Sequence, residues 1–87
     1  MADQIWQVSV VFTEDGEKTR ADAMLELAGE RFHGYGRAKR SPEDASVRVI
    51  GQDLAAARAL SDLSHQLLEA AAAEIEQREG HPVKVHG

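Results

Sequence analysis

The chain has 87 residues, of which 43% are hydrophobic and 29% charged, and it contains no cysteine. This length fits one domain with a small core, and the lack of cysteine excludes a disulfide framework and a thiolate nucleophile. The formal net charge of -5 argues against a broad phosphate-binding surface, which needs an excess of cations.

Three segments alternate between apolar and other residues with the period of two that is typical of β-strands. The strands are predicted at residues 4–13, 19–27 and 31–40. The intervening Glu14–Glu17 and Ala28–Glu30 contain glycines that favour tight turns. Consecutive strands joined by short turns predict an antiparallel meander.

The faces of these strands suggest how the core is built. In the first strand one face carries Trp6, Val8, Val10 and Phe12, and we expect Trp6 to be buried. In the third strand the inward positions hold mostly small residues: Phe32, Gly34, Gly36 and Ala38. Glycines on that face leave room for a helix to approach the strand backbone closely.

A long helix is predicted over residues 52–79, with Asp53 near its start and Gly80 and Pro82 ending it. At 100° per residue its expected apolar stripe is Ala56, Leu60, Leu63, Ser64, Leu67, Leu68, Ala71 and Ile75. Because a three-stranded sheet is only about 10–15 Å wide, we expect this helix to overhang the sheet.

Together these elements predict a single α+β domain spanning residues 1–87, a three-stranded antiparallel β-meander packed on one long C-terminal helix. The weakly alternating tail at residues 82–86 leaves open a short additional edge strand. The small core and the outsize helix favour self-association, with a homodimer as the simplest assembly.

Several segments carry a family resemblance over nearly the whole chain. They are Gly34-Tyr35-Gly36-Arg37-Ala38, Ser41-Pro42-Glu43-Asp44, Val49 to Ala55, and Ala59 to Leu68. They resemble a family of small, uncharacterised actinobacterial proteins that is classed as a domain of unknown function. The resemblance implies a fold related to the double-stranded-RNA-binding domain and implies no established activity, catalytic residue or cofactor.

Two departures separate this chain from RNA-binding relatives of that fold. No helix precedes the first strand, and the helix start at Gly51-Gln52-Asp53 lacks the lysine cluster that such domains place on RNA phosphates. A shared fold does not by itself transfer a function.

No motif in the sequence predicts catalysis. Ser61, Asp62 and His65 have the residue types of a hydrolase triad, but they share one helix without an oxyanion site or strained elbow. Gly34-Tyr35-Gly36 lacks the third glycine and the following helix of a phosphate loop. The chain is therefore expected not to be an enzyme, and to hold no metal or cofactor.

The outward face of the third strand is the best candidate for an interaction surface. It carries His33, Tyr35, Arg37 and Lys39, with Arg40 next to them. Our first hypothesis is a non-catalytic interaction domain that self-associates through the sheet or the overhanging helix. The alternative is binding of RNA or single-stranded nucleic acid through this basic patch, against which the acidic net charge argues.

The acidic N-terminus has no apolar core of a secretion signal, and no apolar run reaches the length that spans a membrane. We therefore expect a cytoplasmic protein with no membrane partner.

Overall fold

The computed structural model describes residues 3–39 and 48–80, with side chains omitted for Arg48 and Val49. In chain order the elements are β1 (Ser9–Asp15), β2 (Lys18–Leu27), β3 (Glu30–Lys39) and α1 (Arg48–Glu79). The strands form one antiparallel sheet in the order β1-β2-β3. This confirms the predicted meander followed by one long helix. Arg40 and the predicted edge strand at 82–86 lie outside the described residues.

Both turns are two-residue hairpins. Asp15 pairs with Lys18 across Gly16-Glu17, where Gly16 has φ 61°, and this single positive φ fits a type II′ turn. Leu27 pairs with Glu30 across Ala28 and Gly29, which have φ of 49° and 84° and fit a type I′ turn. The first turn is tighter than the predicted four-residue segment, so β1 extends to Asp15.

The predicted start of the first strand at residue 4 is wrong, because β1 begins at Ser9. Its pairing with β2 ends at Ser9↔Met24, and no ladder forms for residues 3–8. Alternation indicates which face each side chain takes, whereas a strand also needs a paired neighbour. Trp6, expected in the core, is 58% exposed.

The helix begins at Arg48 rather than at residue 52, so Asp53 lies inside it and does not cap it. Gly51 is buried in this first part, where an added Cβ would lie 3.4 Å from Thr19 Oγ1. The packing of Gly51 against β2 therefore stabilises this part of the helix more than the low helix propensity of glycine destabilises it. The C-terminus is as predicted: Gly80 has φ 75°, and its N–H donates to Glu76 O at 2.7 Å.

The core lies between α1 and the β2–β3 half of the sheet. Its buried apolar residues are Ala21, Ala23, Leu25, Ala38, Ala55, Ala59 and Leu63. Gly34 and Gly36 face α1 closely, since a Cβ on either would lie 2.5 Å from a backbone atom of Ala59. This confirms the prediction that the glycines admit the helix, and it makes the core thin, with no buried side chain larger than leucine among the described residues.

The predicted helix stripe is rotated by about one residue from the buried one. Ala55, Ala59 and Leu63 form the buried row, whereas Leu60 is 43% exposed. One residue corresponds to 100° around the helix axis, so Leu60 lies on the side of α1. The predicted stripe is therefore correct at Leu63 and wrong at Leu60.

Candidate functional site

The outward face of the sheet carries four of the five residues that were predicted as an interaction surface. His33, Tyr35, Arg37 and Lys39 are all exposed, and alternation with the buried Gly34, Gly36 and Ala38 places them on the side away from α1. The fifth, Arg40, lies outside the described residues. The structure adds two residues of β2 to this face, Arg20 and Asp22, because they pair with Arg37 and Tyr35.

Asp22 links the two strands through its carboxylate. The Arg20 guanidinium donates to it, with Nη2 to Oδ1 at 3.0 Å and Nε to Oδ2 at 3.1 Å. His33 Nε2 lies 2.7 Å from Asp22 Oδ1 on the neighbouring strand. Since the carboxylate takes contacts from both sides, it fixes a basic side chain on β2 and the imidazole on β3.

This arrangement shifts the pKa values of the two β2 residues. Hydrogen bonds from Arg20 and then from His33 hold the pKa of Asp22 below its ordinary value. Hydrogen bonding to Asp22 raises the pKa of Arg20 further. The pair is therefore fully ionised near neutral pH, and Asp22 acts as an acceptor that orients its neighbours.

Tyr35 is the exposed aromatic residue of the outward face. The guanidinium carbons of Arg20 and Arg37 lie 4.8 Å and 5.5 Å from its ring centroid, within the distance of cation–π contacts. The Tyr35 residue as a whole is 48% exposed. The aromatic group is thus held among cations, and it is still open to a ligand.

Toward the β1–β2 turn this face becomes strongly basic. Lys18 pairs directly with Lys39, and Arg20 pairs directly with Arg37. Together with Arg58 of α1 they line a depression of about 530 Å³, which also contains Asp15 and Thr13. We call Lys18, Arg20, Arg37, Lys39 and Arg58 the basic cleft.

Side chains of α1 cover the outer edge of β3. Arg58 Nη1 donates to Arg37 O, Asp62 Oδ2 accepts from Tyr35 N–H at 3.0 Å, and Gln66 Nε2 donates to His33 O. Four helix residues advance about 6 Å and two strand residues about 6.6 Å, so each turn of α1 meets every second residue of β3.

Asp62 is also one of the three residues, with Ser61 and His65, that have the residue types of a hydrolase triad. Asp62 bonds to the β3 backbone, whereas Ser61 and His65 are exposed to solvent. The structure therefore gives Asp62 a structural contact and does not gather the three residues around a cavity. Arg58, Asp62 and Gln66 are spaced by four residues, so they lie on one side of the helix. The sequence alone does not indicate that this side contacts the edge of β3.

The opposite side of α1 adjoins an uncovered part of the sheet. Val10 and Phe12 pair with the buried Ala23 and Ala21, so they lie on the helix side of the sheet. Phe12 is nevertheless 41% exposed, because α1 packs over β2 and β3. With Ala56, Leu60 and Leu67 of α1 these residues form a surface that we call the apolar flank.

The position of Leu60 on this flank follows from helix geometry. Arg58 lies about 100° from Ala59 on the β3 side, and Leu60 lies about 100° from Ala59 in the other direction. Since Arg58 contacts the edge of β3, Leu60 is turned toward β1. The apolar stripe predicted from the sequence therefore combines part of the core with part of this exposed flank.

Comparison with known proteins shows that the chain is similar to small mycobacterial proteins. A family model described as Rv2632c-like matches residues 4–84. Uncharacterized protein Rv2632c of Mycobacterium tuberculosis (strain ATCC 25618 / H37Rv) is 44% identical over 77 residues, which cover 88% of this chain and 83% of that protein. Uncharacterized protein Mb1767 of Mycobacterium bovis (strain ATCC BAA-935 / AF2122/97) is 35% identical over 82 residues, or 94% and 87% of the two chains.

The fold agrees with that of a solved relative. The crystal structure of Rv2632c matches with a TM-score of 0.85 at 40% identity, covering 94% of this chain and 98% of that one. The resemblance to an uncharacterised actinobacterial family is confirmed. The relation to double-stranded-RNA-binding domains is not tested by these comparisons and stays a prediction. In the described part of the chain, no helix has an apolar stretch long enough to cross a membrane.

Proposed function

We propose, for a chain that belongs to the Rv2632c-like family, that it is a non-catalytic interaction domain whose first partner is a second copy of itself. The observation that supports this is the apolar flank. Its Phe12 and Leu60 are 41% and 43% exposed on the side of the sheet that forms the core. Such a surface at the edge of a thin core is typical of an interface.

The second copy is favoured over another partner by the continuity of the flank with a sheet edge. β1 is the edge strand next to the flank, and no described strand pairs with its outer side. Antiparallel pairing of β1 with the β1 of a second copy would make a six-stranded sheet with both helices on one face. The two apolar flanks would then lie side by side between the helices and cover one another.

The composition of the core supports the same arrangement. The described core holds only alanine and leucine side chains, and chains of this size bury a small share of their surface as monomers. Joining two flanks adds phenylalanine, valine and leucine side chains to a shared core. At about 25 cal/mol per Å² of apolar surface, this burial stabilises both folding and association.

Light scattering coupled to size-exclusion chromatography tests the proposal. The unaltered chain should elute as a dimer at concentrations of about 100 μM, since a standard interface gives a Kd well below that value. Phe12→Lys should give a folded monomer, because it places a charge on the flank and on the edge strand. Met24→Lys is the matched control: Met24 is also 41% exposed, but lies on the outward face of the central strand.

A second readout locates the interface. Because the chain has no cysteine, Val11→Cys should form an intermolecular disulfide if two β1 strands pair with Val11, in the middle of the strand, opposite its own copy. A single cysteine at Tyr35 on β3 should stay reduced under the same conditions. A strict monomer at high concentration, or equal loss of the dimer in Phe12→Lys and Met24→Lys, would contradict self-association through the flank.

A second candidate function is binding of RNA or single-stranded nucleic acid through His33, Tyr35, Arg37, Lys39 and Arg40. The observation in its favour is that Tyr35 stays 48% exposed among the guanidiniums of Arg20 and Arg37, and aromatics among cations stack on bases. It ranks second because the net charge is -5. Binding of a single-stranded oligonucleotide that weakens with salt would support it.

The lack of cysteine is consistent with a reducing compartment, and we propose a cytoplasmic location for the dimer. Detection of the protein in the cytosolic fraction of its cells tests this.

A further inference from the structure

The pairing of strands β2 and β3 brings like charges together on the outward face. Lys18 stands directly opposite Lys39, and Arg20 stands directly opposite Arg37 in the next row. Side chains directly opposite in a sheet have Cβ atoms about 4.5–5.5 Å apart, and like charges in such positions repel. Two neighbouring pairs of this kind are a local conflict that a purely structural surface has no reason to keep.

The charges around these pairs do not cancel them. Five of the residues that line the depression are basic, and Asp15 is its one acidic residue. Asp22 bonds to Arg20, but among the described residues no carboxylate forms an ion pair with Lys18, Arg37 or Lys39. On β1, Asp15 stands directly opposite Lys18. Among the described residues that line the depression, this one carboxylate adjoins five cations, so an acidic protein concentrates positive charge at one end of one face.

We propose that the basic cleft is a binding site for a small molecule that carries two adjacent phosphate groups. The depression has a volume of about 530 Å³, which lies in the range of small-molecule sites. The Lys18–Lys39 and Arg20–Arg37 rows present two groups of cations side by side. Each row takes one phosphate, and the Arg guanidiniums can bind phosphate oxygens through two N–H groups at once.

The position of Arg58 supports a site of limited size. It reaches from α1 past the edge of β3 and donates to Arg37 O, so it adds a fifth cation at the border of the cleft. In the row that follows the Arg20–Arg37 pair, Asp22 stands opposite Tyr35 and adds a negative charge. In the direction of Tyr35 the positive field of the described residues therefore ends after two rows, which suits a compact ligand better than a long nucleic-acid strand.

The site is separate from the apolar flank, because none of the residues that line the depression belongs to the flank. Pairing of two β1 strands leaves both outward faces open to solvent. This inference therefore does not depend on the proposed dimer, and either can fail without the other.

The test is a titration with inorganic pyrophosphate at low ionic strength, followed by calorimetry and by backbone amide chemical shifts. The unaltered chain should bind with a saturable 1:1 curve per chain, and the shifts should centre on residues 18–20 and 37–39. Lys39→Gln and Arg37→Gln should each weaken binding about tenfold, the usual loss for one charge-assisted contact. Pyrophosphate should raise the melting temperature of the unaltered chain more than that of either variant.

Arg31→Gln is the matched control. Arg31 lies on the same strand and on the same outward face, but about 26 Å from Lys39 at 3.3 Å per residue, next to Glu26. This variant should bind pyrophosphate as the unaltered chain does. Equal weakening in Arg31→Gln and Lys39→Gln would reduce the effect to overall charge and would overturn the proposal.

Stability without ligand gives an independent readout. Because Lys39 faces Lys18, Lys39→Gln should keep or raise the melting temperature in the absence of pyrophosphate. A fall in stability would show a structural role for Lys39 and would count against a site kept for binding. No saturable binding at low salt would also overturn the proposal, as would tighter binding of a single-stranded oligonucleotide, or of anionic lipid vesicles, than of pyrophosphate.

Discussion

Gly34→Ala should open the interface between α1 and the sheet. An added Cβ would lie 2.5 Å from Ala59 O and would also collide with the backbone of Leu63. Ordinary contacts of this kind begin at 3.4 Å, and the nearest atom is the backbone nitrogen of Leu63, so α1 must move roughly 1 Å away from β3. These neighbours are backbone atoms of a helix, so no side chain can rotate to relieve the overlap.

The expected cost is large for a chain of this size. Overpacking of a tight interface costs about 1–3 kcal/mol, and we expect the upper end because the displaced element is a whole helix. The unfolding free energy of an 87-residue chain is about 4–13 kcal/mol at 0.05–0.15 kcal/mol per residue. Loss of about 3 kcal/mol would therefore remove between about a fifth and two thirds of the total.

Urea denaturation followed by circular dichroism measures the change, with the m-value reporting whether the native state stays compact. Gly51→Ala is the control, since this buried helix glycine would place its Cβ at an ordinary 3.4 Å from Thr19 Oγ1. It should stabilise the protein by up to about 1 kcal/mol, because alanine is the better helix former. A change below about 0.5 kcal/mol for Gly34→Ala, or equal shifts in both variants, would refute the close approach of α1 to β3.

Three further outcomes are expected. Leu63→Ala should cost about 2–5 kcal/mol because Leu63 is 3% exposed, whereas Leu60→Ala in the diluted monomer should cost less than 1 kcal/mol; urea denaturation separates the two. Because the pKa of Asp22 is lowered in the folded state, its contribution is present above about pH 4 and is lost as pH falls through its folded pKa. Asp22→Asn should therefore flatten the acid limb of a stability-against-pH curve. Ala28→Asn should raise stability by about 1 kcal/mol in calorimetry, because Ala28 has φ 49° and asparagine tolerates that conformation better.

The sequence predicted the strands and their faces well where alternation met a paired neighbour. Ala21, Ala23 and Leu25 are buried as their period of two indicates. Gly34 and Gly36 were correctly read as the contact for the helix. Trp6 was misplaced, because the alternation continues into residues 3–8 while the ladder stops at Ser9.

The phase of the helix could not be read in the same way. Its stripe of leucines includes Leu60, which faces away from the core of one chain, and hydrophobicity does not say which apolar residues pack within a chain and which pack between chains. Asp62 and Gln66 look like solvent-facing residues in the sequence, yet they bond to β3. Polar contacts to a strand edge have no hydrophobic pattern and become visible only with the strand in place.

The like-charge pairs of the outward face depend on register. Arg37 and Lys39 were assigned to the correct face, whereas Lys18 precedes the strand predicted at residues 19–27. The opposition of Lys18 to Lys39 also requires knowing that the second turn has two residues. A shift of the register by one residue would turn the side chains of one strand to the other face of the sheet, so that the cations would no longer face one another. The sequence therefore predicted the residues of the site that lie on β3, and it did not predict Lys18, Arg20 and Asp22.

The covering of β3 by α1 has a consequence for how large an assembly can grow. A sheet with two uncovered edges can add strands at both ends and propagate into a filament. Here one turn of helix after another occupies the backbone groups of β3, so among the described strands β1 alone offers an edge for pairing. In the proposed dimer, both outer ends of the joined sheet would be β3 strands covered by a helix. Such a dimer would not accept a third copy by strand pairing, and growth would stop at a closed pair.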